Sequence, residues 1–155
     1  MVGLDLFKKI ISDLASDVQG MPLDSNLQSY LQQNYATDSA AFKAIRQACE
    51  SAIKEGWMCE REAAGIRYGR VLKPSDEWQG YSVDVVVMKN IKGPHHRHPK
   101  GEIDMIMPLT EGAKFDGNGE GWCVYPEDSA HHPTVTGGES IILYLLPQGS
   151  IEFTK

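Results

Sequence analysis

The sequence predicts a mainly β protein in which about three α-helices precede one small antiparallel barrel or sandwich. Two observations predict this. Up to Gly56 the apolar residues recur at three- and four-residue intervals. Beyond it the period becomes extended, and glycines and prolines punctuate the chain roughly every eight to twelve residues. A length of 155 residues suits one domain, read as a helical segment over 1–56 and a β unit over 57–155.

The first helix follows from Leu4, Phe7, Ile10, Ile11, Leu14 and Val18, which form one stripe, and Gly20-Met21-Pro22 ends it. A second is expected from Asp24 or Ser25, where Ser25 and Gln28 have capping-box spacing, with Leu27, Tyr30, Leu31 and Tyr35 on one face. Thr37-Asp38-Ser39 caps a third, which turns Phe42, Ile45, Ala48, Cys49, Ala52 and Ile53 inward and stops at Gly56. The plain reading of these stripes is packing. Strands are expected at 57–61, 66–72 and 81–89, then at the histidine segment, 102–109, 122–125, 131–136 and 138–146, with a tail to Phe153. In the third, Val83, Val85 and Val87 alternate with Ser82, Asp84 and Val86, a run apolar enough to be covered on both faces. The glycine-rich loop at Gly112, Gly117, Gly119 and Gly121 lacks the strand-to-helix context and the lysine of a phosphate cradle.

Composition narrows the function. A hydrophobic fraction of 41% with 23% charged residues is a globular balance, and a net charge of -6 argues against a nucleic-acid partner. No apolar run approaches the roughly 20 residues of a membrane span, and the first twenty residues lack a signal-peptide core, so a cytoplasmic location is expected. The three cysteines, Cys49, Cys59 and Cys123, read as free thiols.

The five histidines fall in two short clusters. His95, His96 and His98 sit with Glu102 between Pro94 and Glu102, while His131 and His132 sit in the segment Tyr125 to Pro133. In an extended strand His96 and His98 project to one side and Arg97 to the other, and Glu102 returns after a short Pro-Lys-Gly turn. This reads as half of a metal site that needs a histidine from a distant strand. Imidazoles with one carboxylate suit one divalent zinc, iron, manganese, nickel or cobalt ion without choosing among them.

His96-x-His98-x-x-x-Glu102 resembles the first motif of the cupin superfamily, whose members bind one metal in a small jelly-roll barrel. Pro126-Glu127-Asp128-Ser129-Ala130-His131 resembles the second, with Asp128 in place of a glycine; aspartate tolerates the left-handed turn required there. The resemblance implies His96, His98, Glu102 and His131 as ligands, or His132 if the register slips by one residue. It also implies a homodimer, as do the long apolar strands at 81–89 and 138–146, which should leave edges or faces in need of cover. The helical segment followed by one compact barrel, with residues 93–109 and 121–153, is further similar to the 4-hydroxylaminobenzoate lyase family. That likeness implies a small aromatic substrate whose hydroxylamino group is rearranged with loss of ammonia to give a dihydroxybenzoate.

Alternation turns Asp104 and Ile106 toward the barrel interior with Glu102, and Ile103, Met105 and Met107 toward the helices. Glu102 and Asp104 are therefore the candidate catalytic carboxylates, the alternative for Asp104 being an aspartate held by backbone. A carboxylated arene needs a cationic clamp, for which Arg67 comes first, because Gly69 shares its face, and Arg61 second, with Arg70 also on these strands. Tyr68 and Trp122 are candidate walls, alongside Trp57, Tyr81 and Tyr144, each of which could equally be core. Two other functions remain open: a dioxygenase using the same ligands on iron, and a noncatalytic small-molecule sensor.

Overall fold

A computed structural model describes residues 2–154. Three helices, α1 (Val2–Asp17), α2 (Ser25–Asn34) and α3 (Ala40–Glu55), precede ten strands: β1 (Arg61–Ala63), β2 (Ile66–Leu72), β3 (Tyr81–Lys92), β4 (His96–His98), β5 (Glu102–Pro108), β6 (Lys114–Phe115), β7 (Gly121–Tyr125), β8 (Ser129–His131), β9 (Thr134–Pro147) and β10 (Glu152–Phe153). All ladders are antiparallel. They form two sheets, one ordered β1-β2-β3-β9-β5-β7 with β6 on β9, the other β10-β4-β8. No ladder among the described residues joins the sheets, so the expected closed barrel is observed as two sheets.

The helix boundaries follow from capping. Asp24, one of the two expected starts, accepts from the amides of Asn26 and Leu27 at 3.0 and 3.1 Å and caps α2. Gln28 is free to act elsewhere because Asp24 performs this task. Ser39 caps α3, and Gly56 closes it at φ 88°. The first expected strand is displaced: the amides of Trp57 and Met58 still bond to Ala52 O, and Cys59 takes φ 57°, so the chain wraps the helix end and pairing begins only at Arg61. In β9, Gly137 and Gly138 bend the strand rather than end it, so it starts at Thr134; opposite them the β3 register shifts around Asn90, whose Oδ1 accepts from Gly138 N at 2.9 Å.

The helices cover one face of the large sheet. Phe7, Ile11, Leu27, Phe42 and Ile45 pack with Val83, Val85, Ile103, Met105, Met107 and Leu143, and all are essentially inaccessible to water. On the opposite face Val86, Met88, Ile106, Phe115 and Ile142 form a second cluster toward the small sheet. The strict alternation along β3 and β5 thus separates a helix-facing core from an inner face, and both faces of β3 are buried from Tyr81 to Met88. Strand β7 would be an open edge, but α2 occupies it: Gln28 accepts from Val124 N at 2.8 Å, and Gln32 both accepts from Trp122 N at 3.1 Å and donates to Trp122 O at 3.0 Å.

Candidate metal centre

The small sheet supplies the histidines and the large sheet the carboxylates. Antiparallel pairing of β4 with β8 places His131 directly opposite His96, and Glu102 opens β5 across the cavity. The return from His98 to Glu102 depends on Gly101, which has φ 86° and no room for a side chain: a Cβ there would lie 2.7 Å from Tyr125 O and 2.8 Å from Leu23 Cδ2. On the other side of β4, Asp128 sits at φ 63°, and its amide donates to His98 O at 2.8 Å, so the expected left-handed turn delivers β8 beside β4.

One donor atom from each of His96, His98, Glu102 and His131 lies within 4.8 Å of every other. The Nε2 atoms of the three histidines are 3.0 to 3.1 Å apart in all three pairs, and Glu102 Oε2 is 3.0 Å from His98 Nε2 and 3.9 Å from His131 Nε2. Two nitrogens at right angles around an ion about 2.1 Å away would stand about 3.0 Å apart, against about 3.4 Å at the tetrahedral angle. The imidazole spacing fits the first figure. Glu102 Oε2 is buried and, among the described residues, receives no hydrogen bond, and an orphaned buried carboxyl oxygen facing three imidazole nitrogens fits a cation. Burial, then the neighbouring His98 and His131, depresses the pKa of His96 to about 3, which keeps it the neutral imidazole that ligation requires.

Asp116, which the sequence reading passed over inside the glycine-rich loop, orients His131. Its Oδ2 accepts from His131 Nδ1 at 2.6 Å and from the Tyr125 hydroxyl, and its Oδ1 accepts from Thr134 N at 2.9 Å. Burial acts to raise the Asp116 pKa, but these bonds outweigh it and hold the carboxyl below its ordinary value. With the Nδ1 proton committed to Asp116, His131 turns its Nε2 lone pair to the cluster. His132 instead places Nδ1 3.1 Å from Gly93 O and packs on His95, so His131 and not His132 joins the site.

A cavity of about 360 Å³ opens beside the cluster, walled by Tyr68, Val86, Met88, Phe115, Ile142 and Tyr144, with Glu102 and Asp104 reaching into it. Asp104 is fully buried, and neither carboxyl oxygen has a hydrogen-bond partner, backbone included. Burial first and the adjacent Glu102 second push its pKa well above the ordinary carboxylate range. Of the expected substrate contacts, Tyr68 is at the cavity. Trp122 is not: it lies in the helix-facing core, donates to Tyr35 O at 2.8 Å and meets Phe42 edge-on. Arg67 is exposed and lines no cavity at the site, because Ile66 and Tyr68 occupy the inner face of β2 and the intervening position points away. Arg61 lines an adjoining cavity.

Two antiparallel sheets that present three imidazoles and a carboxylate to a largely apolar cavity form a candidate metal centre of the kind the cupin resemblance implies. The family model described as 4-hydroxylaminobenzoate lyase matches residues 9–153, and the chain belongs to that family. A 4-hydroxylaminobenzoate lyase of Nocardioides sp. (strain LMS-CY) is 30% identical over 148 residues, covering 89% of this chain and 87% of its own. One of Pseudomonas putida is 30% identical over 158 residues, covering 91% and 90%. Among solved structures, the DMSP lyase DddQ from Ruegeria pomeroyi is similar at a TM-score of 0.49 and 16% identity, covering 94% of this chain and 76% of that one. An RmlC-like cupin protein from Ralstonia eutropha is similar at a TM-score of 0.42 and 11% identity, covering 55% and 57%.

Proposed function

We propose that this protein is a metal-dependent lyase of a small aromatic acid, converting a hydroxylaminobenzoate and one water to a dihydroxybenzoate and ammonia. The observation that carries the reading is the convergence of four ligand atoms on an apolar cavity that also holds a fully buried, unpartnered acid. Membership of the family supports the substrate class.

His96, His98, Glu102 and His131 would hold one divalent ion, which would supply Lewis acidity for N–O cleavage and activate water. Asp104 is the general acid: its buried carboxyl delivers a proton to the hydroxyl that leaves nitrogen, so the N–O bond breaks and water departs. Glu102 serves both as ligand and as the neighbour that keeps Asp104 protonated. One water then adds to the ring carbon beside the one that bears nitrogen, and a second hydrolyses the imine left at the nitrogen-bearing carbon, so that ammonia leaves, its carbon keeps the oxygen and the ring regains aromaticity. With one water lost at N–O cleavage, the net uptake is one. No oxidant is consumed. Val86, Ile142 and Phe115 exclude bulk water from this sequence, and Tyr68 and Tyr144 flank the ring.

The test is metal analysis of protein purified without chelator, then anaerobic assay with 4-hydroxylaminobenzoate. Stoichiometric metal and ammonia release without oxygen are expected. Oxygen uptake would instead establish a dioxygenase, and binding without turnover a sensor.

A further inference from the structure

Among the described residues, no lysine or arginine stands in the wall of the cavity at the metal centre, although a benzoate would bring an anion into it at the end remote from the reacting nitrogen. Burying that carboxylate unpaired would be costly. The adjoining cavity, about 510 Å³, shares Tyr68, Tyr144, Ile151 and Phe153 with the first, so the two are neighbouring lobes that meet at these side chains. Arg61, Arg70 and Lys73 line the second lobe alone.

Building on the lyase reading, we propose that Arg70 is the residue that recognises the substrate's carboxylate. Strand register places it on the inner face: Arg70 is opposite Asp84, Asp84 opposite Tyr144, and Tyr144 opposite Asp104, one row running across four strands from the second lobe to the first. Three ladder steps separate Arg70 from Asp104 by about 14 Å between backbones. The guanidinium lies against Asp84, one strand nearer Asp104, which shortens the gap that a ring with its two polar groups on opposite sides has to span.

Asp84 fixes the rotamer. It accepts from Arg70 Nε at 3.0 Å and from Nη2 at 3.2 Å, while Nη2 also reaches Gly149 O at 3.4 Å; Nη1 bonds to nothing among the described residues. The donor left over therefore belongs to a group already held in place, which lowers the ordering cost of binding an anion. Arg61 is the weaker candidate, since it lies on a three-residue edge strand and, among the described residues, no hydrogen bond orients its side chain, whereas Arg70, also exposed in part, is held by Asp84. Lys73 lies beyond the end of β2.

The test compares kcat/KM for 4-hydroxylaminobenzoate with that for 4-hydroxylaminobenzamide, and calorimetric binding of benzoate with that of benzamide, all on metal-loaded protein. Arg70→Met is made alone and together with Asp84→Asn, because the single variant leaves Asp84 buried without its partner. Loss of one charge-assisted contact predicts that the acid loses roughly 10- to 100-fold more than the amide, chiefly in KM. Equal losses on acid and amide in the double variant would overturn the proposal, as would an acid-selective loss that follows Arg61→Ala instead. If the wild type turns over neither compound but binds benzoate through Arg70, the lyase reading fails and the subsite stands. Turnover of the acid with no selective effect of Arg70 fails the subsite and leaves the lyase reading intact.

Discussion

Asp104 is buried and Asp116 half-buried near the histidines, and their surroundings set them to opposite tasks. Asp116 receives three hydrogen bonds and stays ionised to orient His131, whereas Asp104 receives none and is held protonated. The same isosteric change should therefore have different effects. Asp116→Asn is expected to weaken metal affinity by about 10- to 100-fold, read by titration with the ion, because the His131 tautomer is no longer enforced. Asp104→Asn is expected to retain metal and lose turnover by about 10²- to 10⁴-fold. Equal metal content in wild type and Asp116→Asn across a chelator series would remove Asp116 from the site.

At the scale of elements, the centre depends on how tightly β4 can turn into β5. Gly101 has a left-handed backbone and two contacts that forbid a Cβ, one of them a carbonyl oxygen of β7 that cannot move without breaking the ladder to β5. Gly101→Ala should cost at least about 1–3 kcal/mol of stability, since strain and overpacking coincide there. It should also lower metal content by separating Glu102 from the imidazoles. Thermal unfolding and metal analysis of the purified variant measure both, and an unchanged midpoint with full metal would refute the argument. The helices have an equally local task. By capping β7 through Gln28 and Gln32, α2 protects an edge that sits one strand from Glu102.

For the whole molecule, no helix among the described residues is long and apolar enough to cross a membrane. The long apolar strands expected to need a partner are central: β3 and β9 lie inside the large sheet, with helices over one face and the inner cluster on the other. Cover from a second copy is thus not required where the sequence suggested it. In the large sheet the edge left uncovered among the described residues is β1, three exposed residues that lead into the cavity wall at Ala63 and Ala64. A homodimer is expected to form by strand addition there. A monomer mass independent of concentration in light scattering would end that expectation.

The sequence by itself determined the elements whose signals are local. Periodicity placed the three helices, β2 and the two faces of β5, because alternation and capping act over a few residues, and the cupin resemblance singled out His96, His98 and Glu102 with His131, or with His132 after a one-residue slip. Proximity between strands distant in sequence was decided only by tertiary structure. Asp116 carries no motif, and its role exists because β8 folds back over its loop. Arg67 had the more suggestive neighbour in Gly69, but the inner face of β2 belongs to Ile66, Tyr68 and Arg70, a choice of parity that β2 alone cannot make. Trp122 was turned to the core for the same reason: a strand fixes which residues share a face, and only the layers packed above and below it decide which face holds the site.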